Sequence, residues 1–488
     1  MALKNKVQLI TYADSLGGNL KCLREVLEKY FLDIFEGGVH ILPPFPSSGD
    51  RGFAPTTYFE IEPHFGTWDD IKNIGENFDI AVDLMINHIS QHSEYFQDFL
   101  KKGRKSEYAD YFITLDKLWP DGKPRKEDID KIALRRTIPY SEFAIEETGE
   151  KEQVWTTFGS TDPSEQIDLD VHSPAVQKMF QEILTLFAKN GVKMVRLDAI
   201  GYVLKKMGTS CFFLEPDMYD YIKEIKAITD KLNIDILPEV HAHYKTQYRL
   251  AKQGVWIYDF VLPYMILDTL MFKNHVKLYQ YLQDRPENQF TTLDCHDGIP
   301  IKPDLDDIID EDDARIVADK CVERGARITR ILSESHKGKN GFDVHQIVCT
   351  YYEALGCDDD AYLVARAIQF FVPGIPQVYY VGMLAGKNDY EAADKLHENR
   401  ELNRHNYTIN EIEDAMENSV VQRLMKLIRF RNTHPAFNGE FKVIPCQENR
   451  ICLQWIKDED ACTLHVDLVN NKFYIVSIKD KKEESIVI

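Results

Sequence analysis

Short apolar runs of β character alternate along the chain with stretches whose apolar residues recur every three or four positions. The β runs fall at residues 7–12, 39–42, 80–86, 193–197, 234–237, 257–261, 290–293 and 377–381. Between them, residues 20–31, 174–189, 217–232 and 358–371 carry helical spacing with one apolar face to bury. Strand and helix in alternation imply parallel strands joined by crossover helices, so eight such runs predict an α/β fold, a (β/α)8 TIM barrel ringed by amphipathic helices. The rhythm breaks twice, at 89–167 and at 298–357, and both breaks read as insertions on the barrel rim. After a helix near 420–432 the pattern changes to strict alternation, as in Cys452-Leu-Gln-Trp-Ile, which predicts a small antiparallel β domain. The expected organisation is barrel from 1–88, 168–297 and 358–436, insertions at 89–167 and 298–357, and the β domain at 437–488.

Three of the β runs lead into carboxylates: Val195-Arg196-Leu197-Asp198, Leu237-Pro238-Glu239-Val240 and Leu293-Asp294-Cys295-His296-Asp297. A barrel strand releases its polar last residue at the C-terminal rim, so Asp198, Glu239 and Asp297 are expected to converge there. Retaining cleavage of a glycosidic bond uses a nucleophilic carboxylate about 5 Å from a protonated acid. Arg196, two residues before Asp198, shares its face of the strand and would hold it ionised. Glu239 follows Ile-Leu-Pro, apolar enough to raise its pKa as a general acid needs. Asp297 would then steady the cationic transition state. Each acid alone also reads as a helix cap or a solvated rim charge; three in register favour chemistry.

Composition narrows the class. A net charge of −21 repels polyanions, which argues against nucleic acid and anionic membrane as partners. The nine cysteines are scattered and never spaced as CxxC, so a reducing, cytoplasmic setting without zinc or a disulfide framework is expected. His241-Ala-His243 has the spacing of a metal-dependent barrel, but no further strand-end ligands of the right type join it; no metal is expected. No glycine-rich phosphate loop is present, and no cofactor is expected.

These motifs resemble glycoside hydrolase family 13, the α-amylase superfamily, over nearly the whole chain. Its four short regions appear as Asp83-Leu-Met-Ile-Asn-His88, Val195-Arg-Leu-Asp-Ala199, Glu239 after its strand, and Thr292-Leu-Asp-Cys-His-Asp297. The resemblance implies Asp198 as nucleophile, Glu239 as acid/base and Asp297 as stabiliser, with Arg196, His88 and His296 binding sugar hydroxyls. Asn87 resembles the calcium-linked asparagine of many amylases. Gln8-Leu-Ile-Thr-Tyr-Ala-Asp14, Gly49-Asp-Arg-Gly-Phe-Ala-Pro55, Gly208-Thr-Ser-Cys-Phe-Phe213 and Gln377-Val-Tyr-Tyr-Val-Gly382 are similar to the sucrose phosphorylase branch, which does without that ion. That branch implies Asp50 and Arg400 holding a glucosyl unit, with Phe53, Phe158, Gln166, Tyr202 and Asp343 completing a one-sugar pocket. The implied substrates are small molecules, a disaccharide and inorganic phosphate.

Phosphate entering beside three acids needs cations, since unit charges 4 Å apart interact by roughly 4 kcal/mol at an effective dielectric near 20. Arg135 and Arg136 in the first insertion and His345 in the second are the candidates, and arginine forks match phosphate oxygens. On chemistry alone these residues also read as a solvated pair and a loop histidine. Leu134-Arg-Arg-Thr and Asp343-Val-His-Gln346 resemble the branch members whose fructosyl leaving group carries a 6-phosphate, which implies that all three hold that ester. Lys337 and Lys339, in the polar stretch 333–340, are weaker candidates.

Overall fold

The computed structural model of the chain describes residues 3–332 and 337–488. Eight parallel strands form one sheet: Gln8–Thr11, Gly38–Ile41, Ile80–Met85, Val192–Asp198, Asp235–Pro238, Ile257–Asp259, Gln289–Thr291 and Ile375–Tyr379. Named first to eighth along the chain, they lie in the order sixth, seventh, eighth, first, second, third, fourth, fifth. Chain neighbours are sheet neighbours, which is the order of a (β/α)8 barrel. The strands are short and almost wholly buried because helices cover their outer face. Leu20–Tyr30 starts at Asn19, whose side chain accepts from the Cys22 amide at 2.9 Å, and buries Leu20, Leu23, Val26 and Leu27. Pro174–Lys189 starts with proline at a position where a missing N–H costs nothing, and buries Met179, Phe180, Ile183 and Phe187.

The described residues divide into two compact units, one from 41–240, 331–332 and 337, the other from the remaining described residues. The first unit holds the third to fifth strands and the first insertion. That insertion leaves and rejoins the barrel through an antiparallel pair, His88–Ser90 against Gln166–Asp168. It closes over a core of Ile113, Leu115, Trp119, Ile132 and Trp155, completed by Cys211 from the loop after the fourth strand.

The second unit holds the sixth, seventh, eighth and first strands. Its insertion is a three-stranded antiparallel sheet of Ile299–Pro300, Val344–Val348 and Arg327–Arg330, with the helix Glu311–Glu323 capped by Asp310. The C-terminal sheet runs antiparallel in chain order over Glu440–Val443, Arg450–Lys457, Asp460–Asp467, Lys472–Lys479 and Lys482–Ile486.

Three sequence expectations shift. The eighth strand begins at Ile375, two residues early, and a helical turn follows at Tyr380–Met383. Gly374 permits this: its φ is +125°, and a Cβ there would lie 2.3 Å from the Gln289 carbonyl oxygen. The seventh strand stops at Thr291, so Asp297 sits on the following loop and not at a strand end. Asp294 takes the buried position instead, accepting from Arg366 Nη2 at 2.8 and 2.9 Å. Finally, Asp359–Phe371 is buried on every side from Ala361 onward, not amphipathic, because the C-terminal sheet covers the face an outer helix would show to water. Trp455 Nε1 donates to the Phe371 carbonyl at 2.7 Å, satisfying one of the helix's last acceptors. Among the described residues no helix is long and apolar enough to cross a membrane.

Candidate active site

In the first unit the site is organised around one guanidinium. Asp83 of the third strand pairs in register with Arg196 of the fourth, and Asp198 ends that strand. Arg196, 3% exposed, donates through Nη1 to Asp83 at 2.5 Å and to Asp198 at 2.8 Å, and its Nη2 lies 3.6 Å from Glu239. Glu239 follows the fifth strand and accepts from the Ala199 amide at 2.9 Å. Ala199 has a left-handed φ of +53°. That conformation costs alanine roughly 1–2 kcal/mol and is borne where it aims a group.

Burial pushes the Asp198 carboxyl up, Arg196 pulls it down, and the neighbouring Glu239 and Asp83 charges push it up again, to about 8 in all. The expectation that Arg196 holds Asp198 ionised is not met: its pull is outweighed by burial and by the neighbouring acids.

The remaining predicted sugar contacts of this unit gather around the same strands. His88 is buried and its Nε2 donates to the Phe53 carbonyl at 2.8 Å; burial pulls its pKa down, so the ring is neutral. Gln166 Nε2 reaches the same carbonyl at 3.4 Å. Phe158 lies 5.5 Å from the His88 ring and meets Tyr202 edge-on at 5.1 Å. Phe53 lies under Arg196, 5.6 Å from ring centre to guanidinium carbon. Asp50 and Arg51 both have left-handed φ values, 47° and 48°, in the turn that delivers Asp50 and Phe53.

The two arginines of the first insertion part company. Arg135 lies over the Phe158 ring at 5.9 Å. Arg136 is 11% exposed and spends its donors on Ser141 Oγ, Thr156 Oγ1 and the Thr161 carbonyl at 2.9, 2.7 and 2.8 Å. It pins the loop that carries its neighbour.

In the second unit, Asp297 lies 3.3 Å from Arg400 Nη1 and 3.6 Å from His296 Nε2. Its loop is held by Asn403, which donates to the Cys295 and Asp297 carbonyls at 2.9 Å each, and by Arg404, which donates to the His296 carbonyl at 2.9 Å. His345 is buried, with Nδ1 2.6 Å from the Lys302 carbonyl. Asp343 pairs with Arg330. Lys337 and Lys339 lie among the described residues, whereas 333–336 of that polar stretch lie outside them.

Sequence reasoning passed over Lys205. Its buried ammonium sits 2.6 Å from Asp168 and 2.7 Å from Asn87 Oδ1, and also donates to the Tyr202 carbonyl. Asp168 further accepts from Thr157 N and Oγ1 at 2.7 and 2.6 Å. The oxygen of Asn87 thus serves a cation of the chain's own. Asn403 and Arg404 were also missed, although their closeness to Arg400 in a polar run was a usable signal.

The alpha-amylase catalytic-domain model matches residues 10–284. The chain belongs to the alpha-amylase family. Within that family it is 64% identical to the sucrose 6(F)-phosphate phosphorylase of Thermoanaerobacterium thermosaccharolyticum over 99% of both chains. It is 43% identical to the sucrose phosphorylase of Streptococcus mutans over 91% of this chain and 90% of that one. The crystal structure of sucrose 6F-phosphate phosphorylase from Thermoanaerobacter thermosaccharolyticum superposes with a TM-score of 0.99 at 62% identity, covering 100% and 99% of the two chains.

Proposed function

We propose that the protein is a retaining phosphorylase that splits sucrose 6-phosphate with inorganic phosphate into α-glucose 1-phosphate and fructose 6-phosphate. The observation that carries this reading is the 64% identity, end to end, with an enzyme of that name. Asp198 attacks the anomeric carbon while Glu239 gives its proton to the departing fructosyl oxygen. Arg196, within reach of both acids, pulls the Asp198 carboxyl toward the charged form that attack needs. Inorganic phosphate then attacks the glucosyl enzyme, returning a proton to Glu239, and two inversions leave the configuration retained.

Asp297, with Arg400 and His296 beside it, steadies the positive charge at the anomeric carbon. Asp50, Phe53, His88, Phe158, Gln166 and Tyr202 enclose the glucosyl unit, and Asp343 borders it. Arg135 and His345 hold the 6-phosphate ester; Arg136 acts through Arg135 by fixing the loop. A cytoplasmic setting is supported by the scattered spacing of the nine cysteines, which never fall as CxxC.

The 43% identity to a sucrose phosphorylase favours one rival, an enzyme indifferent to the ester. Parallel assays of glucose 1-phosphate from sucrose 6-phosphate and from sucrose separate the two. Sugar release that does not depend on added phosphate would instead mark a hydrolase.

A further inference from the structure

The helix Asp359–Phe371 is buried from Ala361 onward, yet it carries Tyr362, Arg366 and Gln369 at the spacing of one helical face. All three are fully buried. Their hydrogen bonds go to the seventh and eighth strands of the same unit and to the turns that follow. Gln369 Nε2 donates to the Thr291 and Gln377 carbonyls at 2.8 Å each. Arg366 Nη2 reaches the two oxygens of Asp294 at 2.8 and 2.9 Å, its Nη1 donates to Gln369 Oε1 at 2.9 Å, and its Nε donates to Tyr362 Oη at 3.0 Å. The Tyr362 hydroxyl donates in turn to the Gly382 carbonyl. The pair packs against backbone: a Cβ on Gly382, the last residue of the Gln377-Val-Tyr-Tyr-Val-Gly382 run, would lie 2.1 Å from Arg366 Nη2 and 2.1 Å from Asp294 Oδ2.

Docking a helix does not call for such a stripe. A buried ion pair is often no more stabilising than apolar side chains of the same volume, because each charge gives up its water. What the guanidinium adds is direction, since its planar fork holds a carboxylate in a defined geometry. The carboxylate it holds belongs to the loop that carries Asp297. Along that loop Gln369 holds the Thr291 carbonyl, Arg366 the Asp294 side chain, Asn403 the Cys295 and Asp297 carbonyls, and Arg404 the His296 carbonyl. Thr292 Oγ1 closes the bend by donating to the Asp294 carbonyl at 2.6 Å. Asn403 ends the helical turn Asn399–Asn403, which also bears Arg400, 3.3 Å from Asp297.

We propose that Arg366 is a positioning residue of the reaction, which through Asp294 sets where Asp297 stands against the anomeric carbon. This rests on the reading of Asp297 as the group that steadies the charge there. A displacement on the order of an ångström can cost up to ~100-fold in rate, and loss of an interaction made in the transition state falls on kcat and not on KM.

The test uses the full-length enzyme with Asp294→Asn, which keeps shape and removes charge, and Arg366→Lys, which keeps charge and loses the fork. Turnover of α-glucosyl fluoride, which forms the glucosyl enzyme without any phosphate, is measured beside phosphorolysis of sucrose 6-phosphate. Each variant should lose about tenfold or more in kcat on both substrates, with KM within about twofold of wild type. In an Asp297→Asn background the same changes should cost less than about twofold, since the carboxylate they would misplace is gone. Tyr362→Phe removes one hydroxyl and no charge, and serves if the charged variants do not fold; its expected loss is about threefold in kcat, again absent in the Asp297→Asn background.

An unchanged kcat in a folded variant, a rise in KM alone, or a loss that persists in the Asp297→Asn background would overturn the proposal and leave the stripe a purely structural feature. Asp297→Asn with wild-type turnover would overturn the role given to Asp297, and the proposal with it. Absence of phosphate-dependent glucose 1-phosphate formation by the wild type would overturn the phosphorylase reading alone, because glucosyl fluoride reports on Asp297 without phosphate.

Discussion

Arg196 shows how much a single side chain can be asked to do. Buried at 3% exposure, it serves Asp83, Asp198 and Glu239 together, so no one of these acids can be changed without altering the charge of the others. The raised pKa of Asp198 has a consequence for stability. Folded Asp198 binds a proton that the unfolded chain releases near pH 4, and keeps it to about 8, so its contribution weakens stability as pH rises through that window. Asp198→Asn should therefore abolish turnover and also stabilise the fold, by about 1–2 kcal/mol above pH 8 and by nothing below pH 4. Thermal melts across pH check it; a variant less stable than wild type at pH 8 would mean that Asp198 pays its way through Arg196.

The neighbouring arginines give a second prediction at this scale. Arg135→Ala should cut kcat/KM for sucrose 6-phosphate by about 10- to 100-fold, the worth of a charged hydrogen bond, and leave sucrose within about threefold. Arg136→Ala, which unties the loop, should lower both substrates together.

At the scale of elements, the first insertion is fastened at its stem. Lys205, on the loop after the fourth strand, ties Asn87, where the chain leaves the barrel, to Asp168, where it returns. Removing the ammonium strands Asp168, which is fully buried, with an uncompensated charge. Lys205→Met should cost about 3–5 kcal/mol in denaturant unfolding, since a broken buried pair is expensive where an intact one is nearly neutral. Loss of activity with unchanged stability would show that the stem is held by something else.

Elements of this kind mark where sequence reading succeeds and stops. The barrel strands were legible because burial on both faces leaves continuous apolar runs, and Asp198 and Glu239 because each adjoins such a run. Asp297 was found by motif but misplaced, since Thr292 and Asp294 bend the chain out of the strand before it. Lys205 was not legible as a site residue: it acts through partners far away in sequence, and a lone lysine carries no periodicity. Residues 359–371 misled because a helix covered on both sides loses its polar face, and only the C-terminal sheet explains that.

At the scale of the whole molecule, a chain of net charge −21 must admit two phosphate-bearing reactants. Screening limits the general repulsion to a Debye length of about 8 Å at physiological salt, so the choice between phosphorylated and plain sugar is made by short-range cations and donors, not by the overall field. Arg135 and His345 are the residues assigned to that choice. The account stands on their making it during phosphorolysis.

The most direct measurement is the ratio of kcat/KM for sucrose 6-phosphate to that for sucrose, at saturating inorganic phosphate, read as α-glucose 1-phosphate formed. The account predicts a ratio of at least about ten, with fructose 6-phosphate released one for one. A ratio of one or less would contradict it.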